Sequence, residues 1–349
     1  MTSPSIAARP EPPAGWAPLA RRLGSFYHEP AWIGGLASAF GFRMHYLVAE
    51  RGGEVVGALP LAEVRGLTGT RRLVSLPFSY CAGPVAEDEA TAHALCEHAR
   101  ELARETGARR VEIKRAPTVA WSAAPGFERV SRYATYRVDT SGDERALFKR
   151  LHQSMTQRGI RKAEKEGVTA TRGASPDEWA LMAELQAETS HRLGLPAPPD
   201  RFFTETCAAL QRAGLADVYV ARLADGRPAA AITVWKGARE WIYAFGASRA
   251  ALLEHRPNHA VLWRAMRDAA AAGVPFDLGR ASPEQEGLVQ FKERWGGVAV
   301  PLAYDYWPGA GGLNTAPRDR GPIAIVNRVW SALPFAVARR GSFLYRYMG

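Results

Sequence analysis

Two stretches of the chain show the same succession of strand-like and helix-like hydrophobic patterns. The first predicts strands over 44–50, 55–64 and 71–76, a helix over 89–106 and a strand over 111–115. The second predicts strands over 218–223, 229–236 and 240–245, a helix over 258–272 and a strand over 275–279. Each helix ends at a glycine, Gly107 or Gly273, which suits a left-handed C-terminal cap. We interpret this as the duplication of one α/β unit; a chance likeness of two generic α/β patterns is the alternative.

The segments around this repeat complete the predicted domain organisation. Pro30 suits the first turn of a helix over 26–39, and the Gly- and Pro-rich run 308–322 is typical of a linker. The sequence thus predicts a loose lead-in over 1–24 and a first domain over 25–140. It predicts a second domain over 141–307, which includes a basic helix over 147–167, and a linker with a tail over 308–349.

The basic helix carries six lysines and arginines against two carboxylates. On a helix, four of these cations share one face: Arg158, Arg161, Lys162 and Lys165. Such a face suits phosphates, although a solvated helix face partly neutralised by Glu164 and Glu166 would give the same pattern. The net charge of +10 favours an anionic partner, whether nucleic acid, a phosphorylated substrate or an anionic membrane surface.

The tail over 323–348 mixes arginines with aromatic residues. It could lie on an anionic membrane surface or pack on the protein as a terminal helix, and we favour packing. No apolar stretch is long enough to predict a membrane span. The three cysteines are scattered, and the N-terminal residues do not resemble a signal peptide, so we expect a cytoplasmic location.

The strongest chemical candidate is the strand over 276–280 with the loop and short helix that follow it. The carboxyl end of a strand is where open α/β sheets bind ligands. Lys292, between Phe291 and Trp295, could hold an anion or a developing oxyanion, unless it is an ordinary amphipathic residue. Histidines and cysteines show no metal-ligand spacing, so no metal site is predicted. Arg294-x-x-Gly297-x-Ala299 fits a loose acyl-CoA phosphate loop, but a strand pattern follows it where a helix is needed.

Taken together, these motifs resemble the Fem family of aminoacyl-tRNA-dependent peptidyltransferases and its FemAB-like relatives. The similarity covers about residues 25–307 and is carried by segments 26–32, 77–80, 158–167, 257–258, 276–280 and 291–296. It is strongest with a subgroup associated with exopolysaccharide and exosortase loci, and the long helical hairpin of some cell-wall members is not evident. The resemblance implies an α/β fold with mixed (α+β) sheets, built as two tandem N-acetyltransferase-like (GNAT) domains with a C-terminal helical tail.

The resemblance also implies an acyl or aminoacyl transferase that forms an amide on an amine of a cell-envelope, peptidoglycan or exopolysaccharide precursor. No cofactor is expected to stay bound; the co-substrate is aminoacyl-tRNA or acyl-CoA. Lys292 and the backbone N–H near Phe291 would stabilise the oxyanion, and Asp277, Glu286 or Asp305 would take the amine proton. The basic face Arg158, Arg161, Lys162 and Lys165 would meet tRNA or pyrophosphate. The predicted substrate-binding residues are Tyr80, Asn258, Arg280, Ser282, Glu286 and Trp295.

Two alternatives remain open at this point. One is an acyl-CoA-dependent GNAT N-acyltransferase, and the other is a non-catalytic module that binds phosphate or nucleic acid. The expected acceptor is a phosphorylated or lipid-linked envelope precursor, which would allow peripheral contact with the inner membrane surface.

Overall fold

A computed structural model describes residues 3–66, 69–117, 120–309 and 322–348. Within these residues the chain forms two compact units. Of these residues, the first unit contains those from 3 to 134 together with 300–309 and 347–348, and the second contains 135–299 and 322–346.

The elements of the N-terminal part follow in chain order. They are β1 (Ser5–Arg9), α1 (Trp16–Leu23), α2 (Pro30–Phe40), β2 (Arg43–Arg51), β3 (Glu54–Arg65), β4 (Arg71–Val74), β5 (Val85–Ala86), α3 (Glu89–Thr106), β6 (Val111–Lys114) and β7 (Glu128–Val138). The later elements are α4 (Glu144–Arg150), α5 (Arg158–Lys165), β8 (Thr169–Arg172), α6 (Pro176–Arg192), α7 (Ala208–Arg212), β9 (Ala216–Arg222), β10 (Pro228–Lys236), β11 (Trp241–Ser248), α8 (Pro257–Ala271), β12 (Phe276–Ala281), α9 (Glu286–Arg294), β13 (Val298–Trp307), α10 (Pro322–Ala332) and α11 (Phe335–Arg340).

The strands of the two units follow one scheme. In the first unit, β2, β3 and β4 pair antiparallel in succession, α3 follows, and β6 pairs parallel with β4. In the second unit, β9, β10 and β11 pair antiparallel, α8 follows, and β12 pairs parallel with β11. The predicted α/β fold with mixed sheets and the repeated hairpin, strand, helix and strand are therefore confirmed.

The apolar faces that the patterns predict are buried within each unit. In the first unit, α3 packs its buried residues, among them Leu95 and Ala99, against Leu59 and Ile113 of the sheet. In the second unit, α8 buries Val261 and Met266 and lies against β9 and β10, while α6 lies against β10 and β11. Burial of such side chains is the main force that holds each unit together.

The predicted loose lead-in contains two ordered elements. Strand β1 pairs antiparallel with β2, with Ile6 opposite Ala49, and α1 buries Trp16 completely. The indole N–H of Trp16 donates to the carbonyl of His28 at 2.8 Å. Strand β1 consists mostly of small residues and has no strong alternation of apolar and polar positions. Its hydrophobic pattern therefore did not predict a strand.

Three further boundaries differ from the predictions. The helix expected over 26–39 is a short 3-10 turn followed by α2, because Pro30 begins a new helix. Strand β4 ends at Val74, since Leu76 and Phe78 adopt positive φ angles of 63° and 56°. The basic segment is interrupted by a π-helical turn over 153–157, so α4 and α5 are separate helices.

The C-terminal tail packs on the second unit, as favoured above. Helices α10 and α11 both contact α6, and His191 Nε2 lies 2.8 Å from the carbonyl oxygen of Leu333. Most of the predicted linker, residues 310–321, lies outside the described residues. None of the helices among the described residues is long and apolar enough to cross a membrane.

Candidate active site

The two parallel strands of the second unit separate soon after they begin to pair. Their register covers only Trp241 opposite Phe276 and Ile242 opposite Asp277, although β11 continues to Ser248. Residues 243–246 are only half-buried, despite the position of β11 between β10 and β12. A central strand is normally covered on both sides, so this exposure marks an open end between the two strands.

Lys292 of α9 lies at this open end. Its side chain is buried, and its Nζ donates to the carbonyl oxygens of Leu278, Gly279 and Arg280 at 2.7, 2.5 and 3.1 Å. An ammonium group has three protons, so these three carbonyls can take all of them. Lys292 therefore fixes the end of β12, where Gly279 adopts a φ of 78°.

The surroundings of Lys292 lower its pKa, which stays above neutral pH. Burial lowers the pKa of its ammonium to about 8, the charge of Asp277 opposes that shift, and Arg280 adds to it. Its Nζ also lies 5.5 Å from the ring centroid of Tyr136, a favourable position for a cation. The open end of β12 thus contains a fixed positive charge.

These contacts restrict the roles predicted for Lys292 and Phe291. Lys292 could donate to an oxyanion only by exchanging one of its three carbonyl partners. The N–H of Phe291 lies inside α9, where helix geometry directs it to the carbonyl four residues earlier. Both predicted catalytic roles therefore require a rearrangement of this end of the strand and helix.

Asp277 belongs to a buried charged cluster beside the open end. One of its oxygens accepts from the N–H of Gly279 at 2.7 Å and from Thr135 Oγ1. Arg137 lies between Asp277 and Glu240: its Nη2 is 2.8 Å from Glu240, and its Nε is 3.8 Å from Asp277. Two buried carboxylates thus share one guanidinium.

The charge of Asp277 acts on the buried carboxyl of Glu240. Burial and the charge of Asp277 together raise the pKa of Glu240 to about 7, although Arg137 and Arg239 oppose the shift. A carboxylate with a pKa near the working pH can exchange a proton readily. Asp277 accepts hydrogen bonds from the β12 backbone and Thr135, so Glu240 is the better proton acceptor of the pair.

His259 connects the open end to the basic helix α5. Its ring centroid lies 5.7 Å from that of Trp295, which follows α9. On its other side it contacts Gly159 of α5 so closely that a Cβ added there would lie 2.3 Å from His259 Cδ2. Burial lowers the pKa of His259 to about 4, and Arg256 lowers it further, so the imidazole is neutral at pH 7.

Helix α5 presents its cations to solvent, as its spacing predicts. Arg158, Arg161, Lys162 and Lys165 are exposed, while Gly159, Ile160 and Ala163 are buried. Lys162 pairs with Glu166 at 3.4 Å, and Arg161 lies over the Phe148 ring. Among the described residues, Arg158 and Lys165 form no salt bridge, so their charges remain available to an anionic ligand.

The structure brings five of the six predicted substrate-binding residues into the second unit. Arg280 and Glu286 are exposed, and the N–H of Ser282 donates to Gln285 Oε1 at 3.1 Å. Trp295 is buried, and Asn258 at the start of α8 donates to Ser248 Oγ at 3.3 Å.

The sixth substrate-binding candidate, Tyr80, and the candidate proton acceptor Asp305 lie in the first unit. Tyr80 is buried there, with its ring edge-on to Tyr27 at 5.1 Å. Asp305 is fully buried and accepts from Arg115 and Arg129. Both of its oxygens are held by guanidinium donors, so Asp305 serves packing in that unit.

Five residues at this site were not predicted from the sequence as site residues: Glu240, Arg137, Thr135, Tyr136 and His259. The signal for three of them was present, because the aromatic and β-branched residues of β7 are typical of a strand. Glu240 opens a predicted strand, but nothing in its spacing indicates a buried neighbour. No group of His, Cys, Asp or Glu suited to a metal ion occurs in the part of the chain that the structure describes.

The chain is similar to a known protein family in sequence and to solved structures in fold. Residues 150–293 match the family model described as an acetyltransferase (GNAT) domain. Over 82% of this chain and 93% of the other, the structure is similar to FemX, with 16% identity and a TM-score of 0.68. The chain is FemAB-like in fold. The matched domain contains α5, β11, β12 and Lys292, so the acyltransferase assignment applies to the unit with the open strand end.

Two further structures share this FemAB-like fold. One is L-PGS from Bacillus licheniformis, with 13% identity over 93% of this chain and 98% of the other and a TM-score of 0.56. The other is the C-terminal domain of a putative lysylphosphatidylglycerol synthetase from Agrobacterium fabrum, with 15% identity over 90% and 93% and a TM-score of 0.55. No curated protein sequence matches the chain.

The N-terminus of α8 in this FemAB-like chain is poorly suited to a pyrophosphate. Helix N-termini bind phosphates through free N–H groups, usually after a glycine-rich loop. Here α8 begins at Pro257, which has no N–H, and Arg256 precedes it with a φ of 59°. The N–H groups of His259 and Ala260 already donate to the carbonyl of Arg256.

Proposed function

We propose that the chain transfers an aminoacyl group from aminoacyl-tRNA to a primary amine of a cell-envelope, peptidoglycan or exopolysaccharide precursor. The amine nitrogen attacks the ester carbonyl carbon, and a C–N bond forms as the bond to the ribose oxygen breaks. The amine loses one proton, and the departing ribose oxygen gains one. Because aminoacyl-tRNA is a cytoplasmic metabolite, the reaction belongs to the cytoplasmic face of the membrane.

The observation that carries the donor assignment is the placement of the basic helix beside the open strand end. Gly159 of α5 contacts His259, His259 contacts Trp295, and Trp295 follows the helix that carries Lys292. The opposite face of α5 exposes Arg158 and Lys165. A polyanion bound there would lie across α5, His259 and Trp295 from the helix that carries Lys292.

An acyl-CoA donor is the second candidate, and the match to an acetyltransferase domain favours it. Against it stands the start of α8, where Pro257 removes one N–H and Arg256 replaces the flexible loop that a pyrophosphate requires. The basic face of α5 would also have no evident use with a donor as small as acyl-CoA. We therefore favour the tRNA donor.

The charged groups at the open end suggest how the chemistry proceeds. The tetrahedral intermediate carries a negative oxygen, which Lys292 would stabilise by exchanging one carbonyl partner for that oxygen; one such hydrogen bond is typically worth about 3–4 kcal/mol of barrier. The attacking amine must lose its proton, since an amine of this type has a pKa of about 10.4 in water. Asp277 and Glu240 offer a buried acceptor for that proton.

The first experiment compares donors by thermal shift with the full chain. A ligand that binds only the folded state raises the melting temperature. We expect charged tRNA to raise it and a panel of acyl-CoAs to leave it unchanged. A shift with acyl-CoA alone would overturn the tRNA donor, and a shift with uncharged tRNA but no transfer to any amine would favour a non-catalytic RNA-binding module.

The second experiment locates the tRNA contact. Arg158→Gln combined with Lys165→Gln should weaken tRNA binding and reduce the slope of log K against log salt by about one for each lost phosphate contact. Arg65→Gln combined with Arg109→Gln removes two exposed arginines from the first unit and should leave both quantities unchanged. Equal losses in the two pairs would show that only net charge matters.

A further inference from the structure

The C-terminal tail uses one side to attach to the second unit. Leu333 accepts from His191, Phe335 meets the His191 ring edge-on at 5.6 Å, and Ala338 is buried. Gly194, at the end of α6, lies against the backbone of Asn327 so closely that a Cβ would be 2.2 Å from its carbonyl oxygen. These contacts fix which side of the tail faces away from the protein.

The other side of the tail exposes apolar residues. Val329 is 59% exposed, Val337 is 48% exposed and Phe343 is 63% exposed, and Phe335 keeps a partly open ring. Four of the eight large apolar side chains that are exposed among the described residues thus occur in this short segment. Leu193, beside Gly194, adds a fifth at 58%. Single exposed apolar residues are ordinary, but such a concentration indicates an interaction surface.

The charge of the tail is unusual as well. Residues 322–348 contain four arginines and no aspartate or glutamate. Arg339 pairs with Asp200 at 2.5 Å, whereas Arg328 and Arg340 are exposed and form no salt bridge with any described residue. Val337 and Arg340 are three residues apart, so they are neighbours on the outer side of α11. An apolar and a cationic group are therefore neighbours on the exposed side of α11.

We propose that this outer tail surface, formed by Arg328, Val329, Val337, Arg340 and Phe343, binds an anionic lipid bilayer. Aliphatic and aromatic side chains would enter the boundary between head groups and acyl chains, and the arginines would contact lipid phosphates. A nucleic acid would use the arginines but not the exposed valines. A neutral protein partner would use the valines but not the arginines, so a charged lipid surface fits both observations.

Sedimentation with vesicles tests this proposal on the full chain. We expect binding to vesicles that mix phosphatidylcholine with phosphatidylglycerol, little binding to phosphatidylcholine alone, and release by salt. Arg328→Gln combined with Arg340→Gln should weaken binding about fivefold for each arginine. Val337→Ser combined with Phe343→Ser should weaken it roughly tenfold or more. The tail variants should keep the wild-type melting temperature, because these side chains face outward.

A matched variant and a second measurement keep the test decisive. Val298→Ser combined with Arg145→Gln removes an exposed valine and an exposed arginine elsewhere in the second unit and should leave vesicle binding unchanged. Equal binding to neutral and anionic vesicles, or equal losses in the tail and control variants, would overturn the proposal. A concentration-dependent dimer that Val337→Ser with Phe343→Ser abolishes would instead identify a second copy of this chain as the occupant. None of these results depends on the donor or on transfer activity.

Discussion

The two units share one succession of strands and helices but differ at the end of their parallel strands. In the first unit, the N–H of Ser75 donates to the Glu112 carbonyl, and the N–H of Lys114 donates to Ser75 Oγ, so β4 and β6 stay joined. Residues 79–86 are buried, and Gly83 lies directly against the backbone after β6. Both parallel ladders cover two residue pairs, but in the second unit β11 continues past its last partner to Ser248, and residues 243–246 stay half-buried.

We therefore expect the strand end of the first unit to serve packing and the strand end of the second unit to act on a ligand. Each unit has a buried lysine at this place: Lys114 donates to the carbonyl of Leu76 at 3.0 Å, and Lys292 donates to three carbonyls of β12. In the first unit the surrounding segment is closed by buried residues. In the second unit the lysine lies beside an open strand end, where its charge can act on a ligand. Under the proposed function, the first unit serves packing and the second unit carries the site.

Replacement of the two lysines gives the largest expected contrast. Lys292→Met should lower the rate of transfer by on the order of 100-fold or more, because it removes the fixed charge at the open end. Lys114→Met should lower the melting temperature but leave turnover per folded molecule unchanged. Both changes leave buried carbonyls without a donor, so both should cost about 1–3 kcal/mol of unfolding free energy. Kinetics and thermal unfolding measured on both variants provide the comparison.

The stability measurement is also the control for this pair. If turnover falls in proportion to the folded fraction in both variants, Lys292 acts only on the structure of β12. If Lys114→Met loses activity as strongly as Lys292→Met at an equal folded fraction, the first unit contributes to the chemistry and the contrast between the units is wrong.

Tight glycines in the two units give the next contrast. Gly159→Ala would place a Cβ 2.3 Å from the ring of His259, whereas Gly83→Ala would place one 2.8 Å from the carbonyl oxygen of Lys114. Both should cost about 1–3 kcal/mol of unfolding free energy through overpacking. The clash at Gly159 is with a side chain, so His259→Ala should restore part of the lost unfolding free energy. The clash at Gly83 is with backbone, so no side-chain substitution should restore it.

Denaturant unfolding of Gly159→Ala, His259→Ala and the double variant measures this coupling. Losses in the two single variants that simply add in the double variant would show that Gly159 and His259 are not coupled. Loss of tRNA binding in Gly159→Ala, regained in the double variant, would link the position of α5 to the donor site.

The sequence predicted the shared scheme because both units depend on hydrophobic periodicity and on glycine at helix ends. Gly107 and Gly273 mark the ends of α3 and α8 at positive φ angles of 69° and 68°, where a side chain would be strained. The exposed face of α5 was also predictable, since the spacing of its cations is the spacing of one helical face. These features depend on residues near one another in the chain.

The charged cluster could not be predicted, because it depends on distant residues. Arg137, Glu240 and Asp277 come from three strands, and only their pairing brings two carboxylates to one guanidinium. The partners of Lys292 were equally hidden, since they are backbone carbonyls of β12 and carry no residue-type signal. The roles predicted for Lys292 and Phe291 from family resemblance remain predictions. Each role requires that an existing hydrogen bond of Lys292 or of the Phe291 N–H be broken first.

The smallest expected effect concerns how many guanidinium groups each buried carboxylate has as partners in the two units. In the first unit one carboxylate, Asp305, has two guanidinium partners; in the second, Glu240 and Asp277 share Arg137, and Arg239 acts on Glu240 from the preceding turn. Burial raises the pKa of Glu240 from its usual 4.5 to about 7. Between these two values the unfolded chain has lost the proton and the folded chain keeps it. The free energy of unfolding should therefore fall as the pH rises through this window.

Glu240→Gln tests that sign directly. The amide keeps an acceptor for Arg137 but cannot ionise, so the variant should match the wild type near pH 4.5 and become more stable than it above pH 7. One unit of pKa difference is worth about 1.4 kcal/mol, and we expect a gain of at least that order. Urea unfolding across this pH range gives the measurement. A variant that loses stability above pH 7 would show that the ion pair with Arg137 outweighs the cost of burying Glu240, and the second unit would then resemble the first in having a fully compensated carboxylate.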